Sequence, residues 1–176
     1  MTHQSFRVVL VDDDEAFRQA LAERLKLAGF LVSAHVNAQA ALKTIRENFQ
    51  GVVLTDLRMP GLDGRQLARR LAQLDADLPV IIMTGHGDVA EAVEAIQDGA
   101  YDFLTKPFAS ERLIETLKRA LEKRALVLDN RRLAQASENT NDALPLIGDS
   151  PAVRHLRNVI AQLADAQVDV LIEGET

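Results

Sequence analysis

Phe6-Arg7-Val8-Val9-Leu10-Val11-Asp12-Asp13-Asp14 (residues 6–14) carries an apolar run with no polar alternation and closes on an acidic triplet. A strand with one wet face alternates apolar and polar residues. A run that is apolar at consecutive positions, as Val8 to Val11 is, belongs to a strand covered on both faces. Val52-Val53-Leu54 repeats the pattern within Gly51–Thr55, and that run too ends on an acid, Asp56. Leu31–Val36, Pro79–Met83 and Tyr101–Thr105 read as three further strands. Between the strands, apolar residues recur at helical intervals: Phe17, Leu21, Leu25 and Ala28, then Leu42, Ile45 and Phe49, then Leu67, Leu71 and Leu74. Gly29 and Gly99 stand where the first and fourth helices should stop.

Strands separated by helix-length segments pair in parallel through right-handed crossovers, which puts helices on both faces of the sheet. The class is α/β, and five such units match a flavodoxin-like doubly wound sheet of order 2-1-3-4-5. In that architecture ligands gather beyond the carboxyl ends of the strands. Those ends carry Asp12, Asp13 and Asp14 on the first strand, Asp56 on the third, Thr84 on the fourth and Lys106 with Pro107 on the fifth.

Crowded carboxylates repel by about 4 kcal/mol per pair at 4 Å and an effective dielectric near 20, and a hard divalent cation relieves that cost. Magnesium accepts a few carboxylates and keeps exchangeable waters, leaving room for a phosphoryl oxygen. The set therefore reads as a phosphoryl-transfer site. Asp56 is the nucleophile, Mg²⁺ draws charge from the transferring group, and Lys106 and Thr84 stabilise the remaining oxygens. Taken singly, an Asp after a strand is more often a turn former or helix N-cap, and Asp14 reads as one. The signal lies in the set of strand ends, each bearing the required chemical type.

The segments Val11-Asp12-Asp13-Asp14, Thr55-Asp56-Leu57-Arg58-Met59-Pro60-Gly61-Leu62-Asp63-Gly64, Met83-Thr84-Gly85-His86-Gly87 and Thr105-Lys106-Pro107-Phe108 resemble the motifs of bacterial response-regulator receiver domains. The resemblance covers about residues 5–122. It implies that Asp12 and Asp13 form the acidic pair, that Asp56 accepts the phosphoryl group from a sensor histidine kinase, and that Thr84 is the switch hydroxyl. It also implies that the Arg58 carbonyl joins Asp12, Asp13 and Asp56 around the metal, that the Lys106–Pro107 bond is cis, and that Phe103 is the switch aromatic. Phosphatases of the haloacid dehalogenase type share the aspartyl phosphate and rank behind. Ala16 stands where their motif wants threonine or valine, and Asp56 would be left without a role. A constitutive dimerisation or docking module is the remaining alternative.

Composition sets the outer bounds. The chain has 176 residues, 47% of them hydrophobic, enough for one well-buried domain and an appendage. No apolar run approaches the roughly 18–20 residues of a membrane span. The run from Met1 to Phe6 lacks the stages of a secretory signal, so the expected location is cytoplasmic. There are no cysteines, which excludes disulfides and thiolate chemistry. His3, His35, His86 and His155 are scattered and read as surface or packing residues. A net charge of −6 argues against DNA binding by this stretch of chain.

From Ser110 to about Ala136 the sequence reads as one long helix. Ile114, Leu121 and Leu128 recur at intervals of seven, as do Leu126 and Leu133, which suggests a homodimeric coiled-coil seam that includes Leu117, with Arg124 and Arg131 interrupting companion positions. Ser137–Asp142 is polar and reads as a flexible break. Beyond it a helix over 152–164 and a strand over Val168–Ile172 precede Gly174. This run resembles the opening of the ATPase domain in sigma-54-dependent activators of the nitrogen-regulation type, and the overall pattern looks most like regulators of C4-dicarboxylate transport. The resemblance divides the chain into a receiver over 1–122, a helical dimerisation linker over 123–142 and the start of an AAA+ domain over 143–176. The phosphate-binding loop is incomplete, so no ATP site is expected and no enzyme activity beyond self-phosphorylation. Partners of the whole protein would include sigma-54 RNA polymerase and DNA.

Overall fold

A computed structural model of the chain describes residues 6–85, 89–142 and 148–163. Five strands, β1 (Arg7–Val11), β2 (Leu31–His35), β3 (Gly51–Asp56), β4 (Val80–Thr84) and β5 (Asp102–Thr105), form one sheet in the order β2-β1-β3-β4-β5 with every neighbouring pair parallel. Between and after them run α1 (Glu15–Leu27), α2 (Ala38–Leu42), α3 (Gly64–Leu74), α4 (Val89–Gln97), α5 (Ser110–Asp142) and α6 (Pro151–Leu163). The doubly wound α/β architecture is the one the apolar runs require.

The period-2 geometry of a strand sends neighbouring residues to opposite faces. Val8, Leu10, Val52, Leu54, Ile81, Met83 and Leu104 therefore pack with α1 and α5, through Leu21, Leu25, Leu113 and Leu117. Val9, Val11, Val53, Val80 and Ile82 pack on the other face with Ala38, Leu67, Leu71 and Ala95. Both faces are dry, which is why these strands show no alternation.

Helix ends follow local chemistry. Asp14 caps α1 by accepting the Phe17 N–H at 3.0 Å, as its position before the helix suggests. Gly29, at φ 91°, ends α1, its N–H bonding the Lys26 carbonyl while Phe30 N–H reaches Leu25. Gly99, at φ 102°, ends α4 in the same way through Ile96 and Ala95. Asp63 and Gln66 form a reciprocal capping box at the start of α3.

Two helices differ from the expected spans. The spacing of Leu42, Ile45 and Phe49 suggests a helix through all three, but α2 stops at Leu42. Thr44 Oγ1 takes the Ala41 carbonyl at 2.8 Å, and Arg46 takes those of Lys43 and Ile45, so side chains use acceptors that a continuing helix would need. Ile45 is buried all the same. In α5 the expected break at Ser137–Asp142 is helical. Once a helix exists each further residue adds a hydrogen bond, and weak formers cost only about 0.7 kcal/mol or less apiece.

The seam expected on α5 needs a larger correction. Leu117 is fully buried and Leu121 is 7% exposed, both in the core cluster over the sheet, and Ile114 packs on the same cluster. Spacings of three, four and seven fit a stripe facing the domain's own sheet as well as a heptad seam, because periods of 3.6 and 3.5 diverge little over a few turns. Leu128 is half-buried, whereas Leu126 and Leu133 are 67% and 62% exposed. Arg124, which interrupts the heptad, is 1% exposed; its Nη2 meets Asp75 Oδ2 at 2.5 Å and its Nε donates to the Phe49 carbonyl at 2.9 Å. Contacts of α5 with the rest of the unit therefore continue beyond residue 122, through Phe49 and Asp75, and the compact unit that holds the sheet ends at Asn130.

The second unit, from Arg131, contains α6, where Ser150 Oγ accepts the Val153 N–H and Arg157 bonds the Gly148 carbonyl. The strand expected over Val168–Ile172, Gly174, and His3 and His86 lie outside the described residues.

Gly64 holds α3 against the end of β3. A Cβ there would overlap the Asp56 carbonyl oxygen and crowd the Leu57 Cα, both backbone atoms that cannot rotate away. Gly64→Ala is expected to cost on the order of 1–3 kcal/mol, as overpacking does. A urea midpoint equal to that of the unsubstituted chain would show that α3 can retreat freely.

Candidate functional site

Four strand ends meet at the carboxyl edge of the sheet. Asp12 follows β1 and is 1% exposed. Its N–H bonds the His35 carbonyl, its Oδ1 accepts the Asp14 N–H at 2.9 Å, and the Arg18 guanidinium donates to its main-chain carbonyl at 2.6 Å. Asp56 closes β3, with Oδ2 accepting the Arg58 N–H at 2.9 Å. Thr84 closes β4, and its carbonyl accepts the Lys106 N–H at 2.7 Å. This backbone bond sets the start of the lysine side chain, whose Nζ lies 2.9 Å from Asp12 Oδ2 and 2.5 Å from Asp56 Oδ1. The Lys106–Pro107 bond is cis.

Electrostatics follow from this crowding. Burial pushes the Asp56 carboxyl above its ordinary range; the hydrogen bond and charge of Lys106 pull it back, the charge of Asp12 pushes it further up, and the result is a net rise. Burial alone would lower the Lys106 ammonium, but hydrogen bonds and charges from Asp56 and Asp12 outweigh it and hold the group above the ordinary lysine range. The lysine therefore stays charged beside an unusually basic carboxylate. Thr84 is fully buried, and its Oγ1 has no hydrogen-bond partner among the described residues.

The structure thus brings together Asp12, Asp56, Thr84 and Lys106. Asp13 is exposed next to them in the chain, and Arg58 touches Asp56 through its main chain. Phe103 is half-buried against the cluster that contains Ala95 and Ala100, on the α4 side of β5. The Asp14 carboxylate is engaged in capping α1. Among the described residues no three histidine, aspartate or glutamate side chains are grouped to hold a metal, and the Lys106 ammonium lies between Asp12 and Asp56. The donors remain all-oxygen and anionic, a set that fits a hard cation such as Mg²⁺, which needs only one or two carboxylates and keeps several waters.

Sequence reasoning missed Phe17, read there as helix packing. Its ring centroid lies 4.1 Å from Lys106 Nζ. Its place in the first turn after the acidic triplet is the signal that could have found it. Also missed was the tie between α3 and α4, where Arg65 bonds Glu94 and Asp98 and Arg69 bonds Asp98. The hydrogen bond from Arg65, with that from Arg69, holds the Asp98 carboxyl below its ordinary range.

Residues 8–118 match the family described as the response regulator receiver domain. The chain belongs to the response regulator receiver family. This receiver is 51% identical over 169 residues to the C4-dicarboxylate transport transcriptional regulatory protein DctD of Rhizobium meliloti (strain 1021), a match covering 96% of this chain and 37% of that protein. It is 36% identical over 169 residues to the DNA-binding transcriptional regulator NtrC of Escherichia coli (strain K12), covering 96% of this chain and 35% of that protein. Among solved structures, the receiver domain of NtrX from Brucella abortus aligns with a TM-score of 0.62 at 37% identity, covering 65% of this chain and 98% of that one. The chain spans little more than a third of the length of these curated relatives. Among the described residues no helix is long and apolar enough to cross a membrane.

Proposed function

We propose that this receiver is a phosphorylation-operated switch: Asp56 takes a phosphoryl group from a partner histidine kinase, and the change passes through α5 to an output domain. The observation that carries this reading is the Lys106 ammonium held between two carboxylates, with the Thr84 hydroxyl at the neighbouring strand end buried and without a partner among the described residues. An Asp56 oxygen forms the new bond to phosphorus as the phosphorus–nitrogen bond of a phosphohistidine breaks. Lys106 turns its N–H groups from the carboxylate to the phosphoryl oxygens. Asp12, Asp13, Asp56 and the Arg58 carbonyl would hold Mg²⁺, which when bound neutralises charge on the transferring group.

The acyl phosphate brings about −1.5 to −2 charges and new acceptor oxygens, as phosphorylation does elsewhere. Thr84 Oγ1 donates to one of them, drawing in the end of β4 and opening space for Phe103. The face made by α4, β5 and α5 shifts between two arrangements. The homodimer proposed here uses the part of α5 beyond Arg124, where Leu126 is exposed. The whole protein is read as a cytoplasmic sigma-54-dependent activator, with DNA and RNA polymerase as partners of its output domains. Incubation with a small phosphodonor, with and without Mg²⁺, followed by intact mass measurement tests the reading; a chain that gains no phosphoryl group would be a docking module instead.

The Thr84 hydroxyl offers a separate check. A buried hydroxyl without a partner costs about 1–3 kcal/mol. Thr84→Ala is expected to leave thermal stability unchanged or raise it, to leave Asp56 labelling in place, and to abolish phosphorylation-dependent shifts in α4 and β5 amide resonances. Shifts that persist in this variant would remove Thr84 from the switch.

A further inference from the structure

Lys106 carries three N–H donors on a flexible four-carbon stem, and two of them point to Asp12 and Asp56. The Phe17 ring also faces the ammonium, with its centroid 4.1 Å from Nζ. That ring is itself fixed. Its backbone N–H is tied to the Asp14 cap, it packs on the α1–α5 side of the sheet, and Phe108 meets it at 6.4 Å between centroids and 78° between planes. Phe108 follows Lys106 by two residues, so the loop that delivers the lysine also braces the ring beside it.

We infer that Phe17 is a positioning residue for Lys106, its ring holding the ammonium in the gap between Asp12 and Asp56. An aromatic face attracts a cation electrostatically, and the attraction grows as water is removed. A leucine would fill similar space without that field. The ring limits where the lysine points before a phosphoryl group arrives and keeps it close afterwards. This inference rests on Asp56 being the phosphoacceptor.

The test replaces Phe17 with phenylalanines carrying one, two and three ring fluorines, which drain the ring's negative face and nearly preserve its shape. Mg²⁺-dependent labelling of Asp56 by acetyl phosphate should slow stepwise, by about three- to tenfold at three fluorines, with little change in thermal midpoint. Phe17→Tyr should keep the rate within about twofold, and Phe17→Leu should match the trifluorinated chain. Independently of labelling, the Lys106 ε-methylene protons should resonate upfield through the ring current, and Phe17→Leu should return them to the ordinary lysine position. A flat rate across the fluorine series in a chain whose Asp56 labels, or ε-methylene protons already at the ordinary position, would overturn the inference. No labelling of the unsubstituted chain would overturn the phosphoacceptor reading itself, and this inference with it.

Discussion

Asp56→Asn is expected to abolish Mg²⁺-dependent phosphoryl labelling, the largest effect on activity that the site allows. Asparagine keeps the shape of aspartate and one oxygen that can accept the Arg58 N–H, so the loop after β3 has no reason to move. What it lacks is the negative oxygen that attacks phosphorus. The other carboxylate on Lys106 is not free to take over. Asp12 is 1% exposed and already holds the Asp14 N–H and the Lys106 ammonium. Intact mass spectrometry after incubation with a phosphodonor reads the result directly, with circular dichroism as the check that the chain remains folded. An adduct of undiminished yield in the Asn variant would place the nucleophile elsewhere.

The largest effect on stability is expected far along the chain from this cluster. Asp75→Ala should cost about 3–5 kcal/mol, because it strands a buried cation that the fold has taken out of water. The Asp75 and Arg124 side chains are each 1% exposed. Asp75 also accepts the N–H groups of Asn48, at 3.1 Å, and of Asp77, at 3.2 Å, and Asn48 sits in the left-handed region at φ 57°. Removing the carboxylate therefore withdraws an acceptor from two backbone donors as well as from the guanidinium. Arg124→Met should cost less, since the carboxylate keeps those two N–H groups, and Asp75→Asn should fall between a normal chain and Asp75→Ala. Thermal midpoints should order the variants accordingly, with Asp75→Ala lower by roughly 10 °C or more. A loss below about 1 kcal/mol would mean that the pair behaves as a solvated surface bridge.

The sheet could be read from sequence because its strands are buried on both faces, and that condition leaves a plain mark in runs such as Val8–Val11. The strand-end cluster was legible for a related reason. In a parallel sheet every strand delivers its last residue to the same edge, so chain order alone brings Asp12, Asp56, Thr84 and Lys106 together. Side-chain competition was harder to see. The end of α2 depends on where Thr44 and Arg46 send their donors, and no apolar period records that. Arg124 looked like a defect in a heptad because its partner, Asp75, lies far away in sequence, and the value of a charge at a given position depends on what faces it. Leu117 and Leu121 read as part of a partner-facing seam for the converse reason, since spacing shows that a face is apolar but not whose core it meets.

The same arginine decides where this receiver can be spliced to another effector. A graft made just after the helix has covered β5 would transplant the acid without its counterion and yield a fusion that fails by misfolding, whatever the compatibility of the two functions. Hybrid regulators built on this module should place the junction past Arg124 and beyond Asn130, where the compact unit that holds the sheet ends.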